Sequence, residues 1–357
     1  PENPDSWVRS VVRGRGGVTR LVPVTTHQLP PVCILGLGLI GGSLMRDLQT
    51  RGERVYGFTL HGARAARRDG FDVSDSVEEV LRRAEAERAL VVVAVPMRAV
   101  ADVLDQVAKF APSCWITDVV SVKQPVFELI VERGMQARYV GGHPMAGTEF
   151  SGWTASQEGL FASAAWAVTY DYARTNPTDA SWAELFTTVC HMAAVVGAEA
   201  VPVSVARHDE AVARVSHLPH VIAEALALVG DRGGTLAQSL SAGSFRGATR
   251  VASTSPELVR NMCETNAESL VPVLDEYIEL IQAARDSLAS TPPSMKSLSE
   301  SGHRAHLRMA ARKGARRESV SPVEISSRPV MRVHPGAPGW VQQLDQIESL
   351  GGRVEVF

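Results

Sequence analysis

Three short segments of this 357-residue chain carry polar residues that packing alone explains poorly. They are Asp118-Val119-Val120-Ser121-Val122-Lys123, Gly141-Gly142-His143-Pro144-Met145-Ala146-Gly147-Thr148-Glu149 and Ser216-His217-Leu218-Pro219-His220. Histidine is the side chain whose ordinary pKa suits proton transfer near pH 7. The first two segments follow consecutive strand-like runs, which puts both on one edge of a sheet and lets Ser121 and His143 meet. A lone helix histidine is more often structural, but His217 and His220 stand at i and i+3 beside Pro219. Proline kinks a helix, and such a kink commonly lines a site.

A fourth segment binds rather than reacts. Gly36, Gly38 and Gly41 form G-x-G-x-x-G directly after the run Val32–Leu35 and before the helical run Ile40–Leu48. The first glycine makes the tight turn, the second lets backbone approach a pyrophosphate and the third lets helix pack on strand. The helix start at Leu39, Ile40 and Gly41 offers N–H groups and partial positive charge to phosphate. Glycines also mark structural turns, but strand, turn, helix and second strand together point to a dinucleotide. Thr59 ends that second strand, where an acid would normally accept from the ribose hydroxyls. His61, Arg64, Arg67 and Arg68 follow, and an arginine there can pair with a 2′-phosphate. NAD and NADP both stay open, because the arginines also suit an exposed helix face. Val95 and Pro96 end the next apolar strand at the carboxyl edge, where such folds bind ligands; Pro96 serves equally as a strand terminator.

These segments need a framework. From Pro31 to about Tyr170, short Val- and Ile-rich runs alternate with helix-length patterns, as in a parallel sheet covered on both faces. The expected fold is an α/β Rossmann-type doubly wound domain over 31–175, followed by a mainly α-helical domain over 176–290. The apolar spacing of Leu258, Met262, Leu270, Val273, Leu274 and Ile278 supports the second, and a helical domain so placed often dimerises. Residues 1–30 read as a flexible leader and 291–327 as a linker with one solvated helix around His303–Arg317. Residues 328–357 read as strand, turn, helix, strand: a small βαβ appendage, structural or regulatory.

Composition narrows the classes. With 45% apolar residues, 21% charged and a net charge of −3, nothing would draw nucleic acid or an anionic membrane, so a small molecule is the expected partner. Cys33, Cys114, Cys190 and Cys263 are scattered and read as buried free thiols, and no metal site is expected. No apolar run reaches the ~18 residues of a membrane helix, and the leader lacks a signal-peptide core. Both favour the cytoplasm.

Six motifs in order resemble the prephenate and arogenate dehydrogenase family, from about Val32 to about Leu288. They are the glycine loop, the Ser121-Val122-Lys123 turn, the Gly141-Gly142-His143-Pro144 loop, His208-Asp209, the Ser216–His220 segment and Phe245-Arg246-Gly247-Ala248-Thr249-Arg250. The resemblance implies NAD(P)-linked oxidative decarboxylation of prephenate, or of its amino analogue arogenate, by a homodimer joined through the helical domain. His143 resembles the catalytic histidine that takes the proton of the ring hydroxyl, and Ser121 the serine that orients it. Arg250 resembles the arginine that grips a substrate carboxylate, where a guanidinium can donate two parallel hydrogen bonds. Arg246, His220 and His217 would add contacts to the substrate. On the catalytic loop Thr148 would join them, and Glu149 would pair with the amine of arogenate, gate the pocket or cap the next helix.

The stretch Val251–Val259 departs from members that place a lysine and an aromatic residue there. The competing readings are a β-hydroxyacid-type dehydrogenase, which would depend on a lysine in the helical half, and a non-catalytic dinucleotide sensor. Histidine and arginine in the motifs argue against the first, and intact Ser121, His143 and Arg250 against the second. The leader is too short for a fused mutase domain, so a single activity is expected.

Overall fold

The structure, a computed structural model, describes residues 28–148, 150–312 and 328–357. Glu149, nearly all of the expected leader and the end of the expected linker lie outside them. Six strands form one parallel sheet: β1 (Val32–Leu35), β2 (Val55–Phe58), β3 (Val73–Ser74), β4 (Leu90–Val93), β5 (Trp115–Asp118) and β6 (Tyr139–Val140). Their order, β3-β2-β1-β4-β5-β6, reverses direction between β1 and β4, the crevice where open α/β sheets bind ligands. Both β1 and β4 are buried along their whole length, which is why they read as unbroken apolar runs. Helices α1 (Leu39–Thr50), α2 (Ala63–Arg68), α3 (Val77–Glu87), α4 (Val100–Phe110) and α5 (Gln124–Glu132) connect the strands. Each fully buried Leu, Ile or Val on these faces contributes roughly 1.5–3 kcal/mol.

The chain then leaves this sheet. β7 (Gly142–Pro144) pairs antiparallel with β8 (Ala165–Thr169), and β8 pairs parallel with β9 (Glu199–Val203). The runs around Trp166–Tyr170 and Ala198–Val203 thus build a second, three-stranded sheet and do not extend the first. Helix α6 (Asp171–Thr175) and α7 (Ala180–Val195) follow β8, and α7 buries Trp182, Leu185, Phe186, Val189 and Met192 in the core shared with β1. The packing changes not at residue 176 but after β9, because α7 and β9 belong to this core.

The helical array is α8 (Val205–Val212), α9 (Leu218–Arg232), α10 (Gly234–Ser239), α11 (Gly243–Thr249), α12 (Pro256–Thr265) and α13 (Ala267–Leu288). The expected kink at Pro219 takes the form of a π-helical turn, Ala213–His217, just before α9. The linker holds α14 (Lys296–Arg312), which begins before His303. The C-terminal module is β10 (Val330–Val333), α15 (Trp340–Leu350) and β11 (Arg353–Val356), with its two strands paired parallel. It is no loose appendage: Val333, Trp340, Leu344, Ile347 and Val354 are buried in the same core as β1 and α7.

Candidate active site

The glycine loop fits a dinucleotide. A Cβ on Gly41 would lie 2.0 Å from the Gly36 carbonyl oxygen, so only glycine lets α1 start this close to β1. A Cβ on Gly38 would meet nothing within 4 Å, and Gly38 caps α1 with no side-chain bond, so the first N–H groups, including those of Leu39 and Ile40, point towards the open edge. Val95 packs within 3.0 Å of the Gly36 Cβ position, and Pro96 leads into the short turn Met97–Ala99. Thr59 is buried and its hydroxyl donates to the His61 carbonyl at 2.8 Å, which fixes the turn after β2. Arg67 is engaged with Val73 and Asp75, whereas Arg64 is exposed with no partner among the described residues.

At the ends of β5 and β6 the chain is fastened from within. Lys123 is fully buried, and its ammonium donates to Asp118 and, at 2.7 Å, to the Gly142 carbonyl. Asp118 also accepts from the Tyr139 hydroxyl at 2.6 Å and the Val120 N–H at 2.8 Å. Burial pulls the Lys123 pKa below its ordinary value against the opposing pull of Asp118. A Cβ on Gly142 would come within 2.6 Å of the Asp118 carbonyl oxygen, so the strand that presents His143 can press against the end of β5 only without a side chain there.

His143 is held by a neighbour that the chain supplies 65 residues later: its Nδ1 lies 2.9 Å from His208 Nε2. His208 Nδ1 lies 2.7 Å from Asp209 Oδ1, and the two Asp209 oxygens also accept from the N–H groups of Lys123 and Gln124, each at 2.8 Å. The carboxylate can only accept, so His208 carries its proton on Nδ1 and accepts at Nε2. His143 must then donate from Nδ1, which leaves Nε2 unprotonated and able to receive a proton. Burial, reinforced by His208, Lys123 and His217, holds His143 well below the usual imidazole range. Burial likewise lowers His208 despite the opposing pull of Asp209. Burial would raise Asp209, but its bonds from His208, Gln124 and Lys123 prevail and hold the carboxyl below its usual range. Both rings are neutral at pH 7, the state required of a base.

Other candidate residues fall into distinct places. Ser121 is half-buried at the end of β5 and makes no hydrogen bond to His143; orientation comes from His208. His217 is buried, with Nδ1 3.1 Å from the Asn266 amide nitrogen, which also donates to the Asp209 carbonyl at 2.9 Å. Burial pushes its pKa down to about 4. His220 donates from Nδ1 to the Ser216 carbonyl at 2.9 Å, leaving Nε2 facing Thr254 at 3.5 Å. Arg250 opens the turn Arg250–Ser253 just before Thr254, so it shares a neighbourhood with His220; Arg246 lies one helical turn earlier, and both arginines are exposed. An ion pair between Arg98 and Glu257 ties the loop after Pro96 to the start of α12. Thr148 is exposed and accepts from the Phe150 N–H at 3.3 Å, and Glu149 is outside the described residues. Among the described residues no cluster of three His, Cys, Asp or Glu could hold a metal.

Residue type and spacing give His208, Asp209 and Lys123 no role, because each acts through a partner distant in sequence or through burial. Lys123 belongs to the Ser121-Val122-Lys123 motif and His208-Asp209 is a motif of its own, and that membership is the signal the sequence carries for them.

Known proteins resemble this chain over most of its length. Residues 44–197 match the prephenate dehydrogenase nucleotide-binding domain and residues 204–301 the prephenate dehydrogenase dimerization domain. A cyclohexadienyl dehydrogenase of Zymomonas mobilis is 33% identical over 276 residues, covering 72% of this chain and 88% of the relative. A solved structure from Corynebacterium glutamicum, provisionally assigned as a prephenate dehydrogenase, is 50% identical with a TM-score of 0.86, covering 92% of this chain and 99% of the other. An arogenate dehydrogenase structure from Synechocystis is 26% identical with a TM-score of 0.63, covering 78% and 99%. The chain belongs to the prephenate dehydrogenase family and is a nicotinamide dinucleotide-dependent dehydrogenase.

Proposed function

We propose that this enzyme oxidatively decarboxylates prephenate, with His143 as the base. The observation that carries the reading is the chain His143–His208–Asp209, which leaves His143 Nε2 as the acceptor at the carboxyl edge of the sheet. The glycine loop would hold the pyrophosphate of the dinucleotide, whose nicotinamide would supply the hydride acceptor. His143 Nε2 takes the proton of the C4 hydroxyl as hydride departs from that carbon, and the oxygen becomes a carbonyl. The ring carboxylate then leaves as CO₂, its bonding electrons pass through the ring to the carbonyl oxygen, and that oxygen takes back the proton held by His143 to give a 4-hydroxyphenyl product. The charge gained by His143 is stabilised through His208 by Asp209. Ser121, free of His143, can meet the hydroxyl or the nicotinamide.

The substrate's carboxylates need cations, and Arg250, with Arg246 and His220 beside it, supplies them. Replacing Arg250 with Ala should raise the substrate KM about 10- to 100-fold with kcat near the parent value, as expected for loss of a charge-assisted pair. A change confined to kcat would count against this role.

Arogenate is the second substrate reading, and NADP the favoured cofactor, because Thr59 brings no repelling carboxylate and Arg64 is exposed on the helix that follows, with no partner among the described residues. Initial rates for two substrates against two cofactors test both. Rates should be highest with prephenate and NADP, and Arg64→Ala should raise the KM for NADP while leaving NAD nearly unaffected. No reduced nicotinamide from either substrate would sink the reading.

We further propose a homodimer through the helical domain. Contrary to the expectation that no apolar segment reaches membrane length, the helical run Val205–Arg232 is long and apolar enough by length and composition to cross a membrane, and only 22% of its most apolar window is buried. Leu228, Val229, Leu236, Leu240, Ile278 and Ile281 are also exposed, and a second copy of this domain would cover such a surface. Four free thiols accord with a reducing compartment, and we place the enzyme in the cytoplasm.

A further inference from the structure

Residues 328–357 lie beyond both matched regions, yet one side chain of this module reaches towards the site. Glu348 on α15 is buried, and its Oε1 accepts from the Ser204 N–H at 2.8 Å and the Ser204 hydroxyl at 2.9 Å. Its other oxygen accepts from the Tyr170 hydroxyl at 2.7 Å and faces Arg207 at 3.4 Å and Arg174 at 3.6 Å. Ser204 is the N-cap of α8, but its hydroxyl does not cap its own helix; it is turned to Glu348. The carboxylate thus sits at the positive end of α8, where negative charge is favoured. Asp171 holds the next N–H, that of Val205, at 2.9 Å. One turn on, the His208 N–H bonds the Ser204 carbonyl at 2.9 Å, and His208 carries the bond to His143. The other end of α15 is fastened as well: Trp340 donates to the Pro177 carbonyl at 2.9 Å and packs against Trp182 and Phe186.

We infer that Glu348 is a positioning residue for the reaction: through Ser204 it sets the start of α8 and so the placement of His208 against His143. The inference rests on His143 as the base, but its test need not.

The test compares Glu348→Ala, Glu348→Gln and Ser204→Ala in the full chain. Glutamine keeps an oxygen for both Ser204 bonds, and its amide can donate to the Tyr170 hydroxyl, which turns its own proton to Asp345, 2.8 Å away. Glu348→Ala should lower kcat per folded molecule about 10-fold while the KM for the dinucleotide holds, Ser204→Ala should fall between, and Glu348→Gln should recover most of the rate. In parallel, the ring ¹⁵N resonances of His143 and His208 should move in Glu348→Ala and return in Glu348→Gln. That readout reports on α8 whether or not prephenate or arogenate is oxidised, so failure of the substrate reading is separate from failure of this one. A lowered melting temperature in Glu348→Ala with unchanged kcat and unchanged ring resonances would overturn the inference, as would Ser204→Ala matching the parent in both, a result that decides the matter even if Glu348→Ala does not fold.

Discussion

Replacing His143 with Asn lowers kcat by ~10²- to 10⁴-fold, the range for loss of a general base, while dinucleotide affinity stays near that of the parent. Asparagine is the informative choice because its amide can still donate to His208 Nε2, in place of the Nδ1–H now 2.9 Å away. The local fold is thereby kept and only the acceptor at Nε2 is lost. The parent's pH profile carries the same information. Burial, with His208, Lys123 and His217, lowers the His143 pKa, so the ring stays an unprotonated base below the ordinary imidazole value of 6.5. The acid limb of kcat/KM should therefore fall below pH 6.5 and vanish in His143→Asn. The sign for stability runs the same way. A ring with a depressed folded pKa binds its proton more readily when unfolded, so His143, His208 and His217 leave stability undiminished above about pH 6.5 and reduce it as pH falls below. An unchanged rate in the variant, or an acid limb above pH 6.5, would reject His143 as the base.

How far the chain announces this site depends on the range of the interactions involved. The dinucleotide loop is local: β1, the glycines and α1 lie within twenty residues, and Gly36 and Gly41 answer to close backbone contacts that spacing alone implies. The C-terminal strand, helix and strand were equally legible, for apolar period reports which face of an element is buried. Period does not report what buries it. Nothing in the spacing of residues 328–357 shows that Trp340 stacks on α7 or that Glu348 reaches Ser204. The same gap hides the partner of His143. Ser121 follows the neighbouring strand and shares its edge, yet the ring turns to His208 on α8, because the chain changes sheets at Gly141 and β7 runs antiparallel to β8 beside that helix. A sheet change of this type needs only two small residues, and glycine pairs have many other uses. Thr59 shows the converse: its position was legible, while the bond that occupies its hydroxyl was not.

Replacing Lys123 with Met should cost about 3–5 kcal/mol, as removal of one partner from a buried ion pair does. The expectation does not assume that the pair itself is strongly stabilising. Desolvating an ammonium and a carboxylate offsets most of their attraction, and the large loss comes from the carboxylate left behind. Asp118 would retain three of its four donors, the Tyr139 hydroxyl, the Val120 N–H and the long Gly142 N–H contact of 3.4 Å, but would lose the only one that carries a charge. Urea unfolding at pH 7 measures the loss as a fall in midpoint. Adding Asp118→Asn should recover part of it, since an amide in the same place carries no charge to strand; the double variant should be more stable than Lys123→Met alone. If Lys123→Met instead unfolds at the parent's midpoint, Asp118 is not charged in the folded chain and the pair is misassigned. Lys123 also bonds the Gly142 carbonyl, one residue before His143. Folded Lys123→Met should therefore lose turnover as well as stability, and the double variant should regain stability without regaining turnover, because neither methionine nor asparagine restores a donor to that carbonyl.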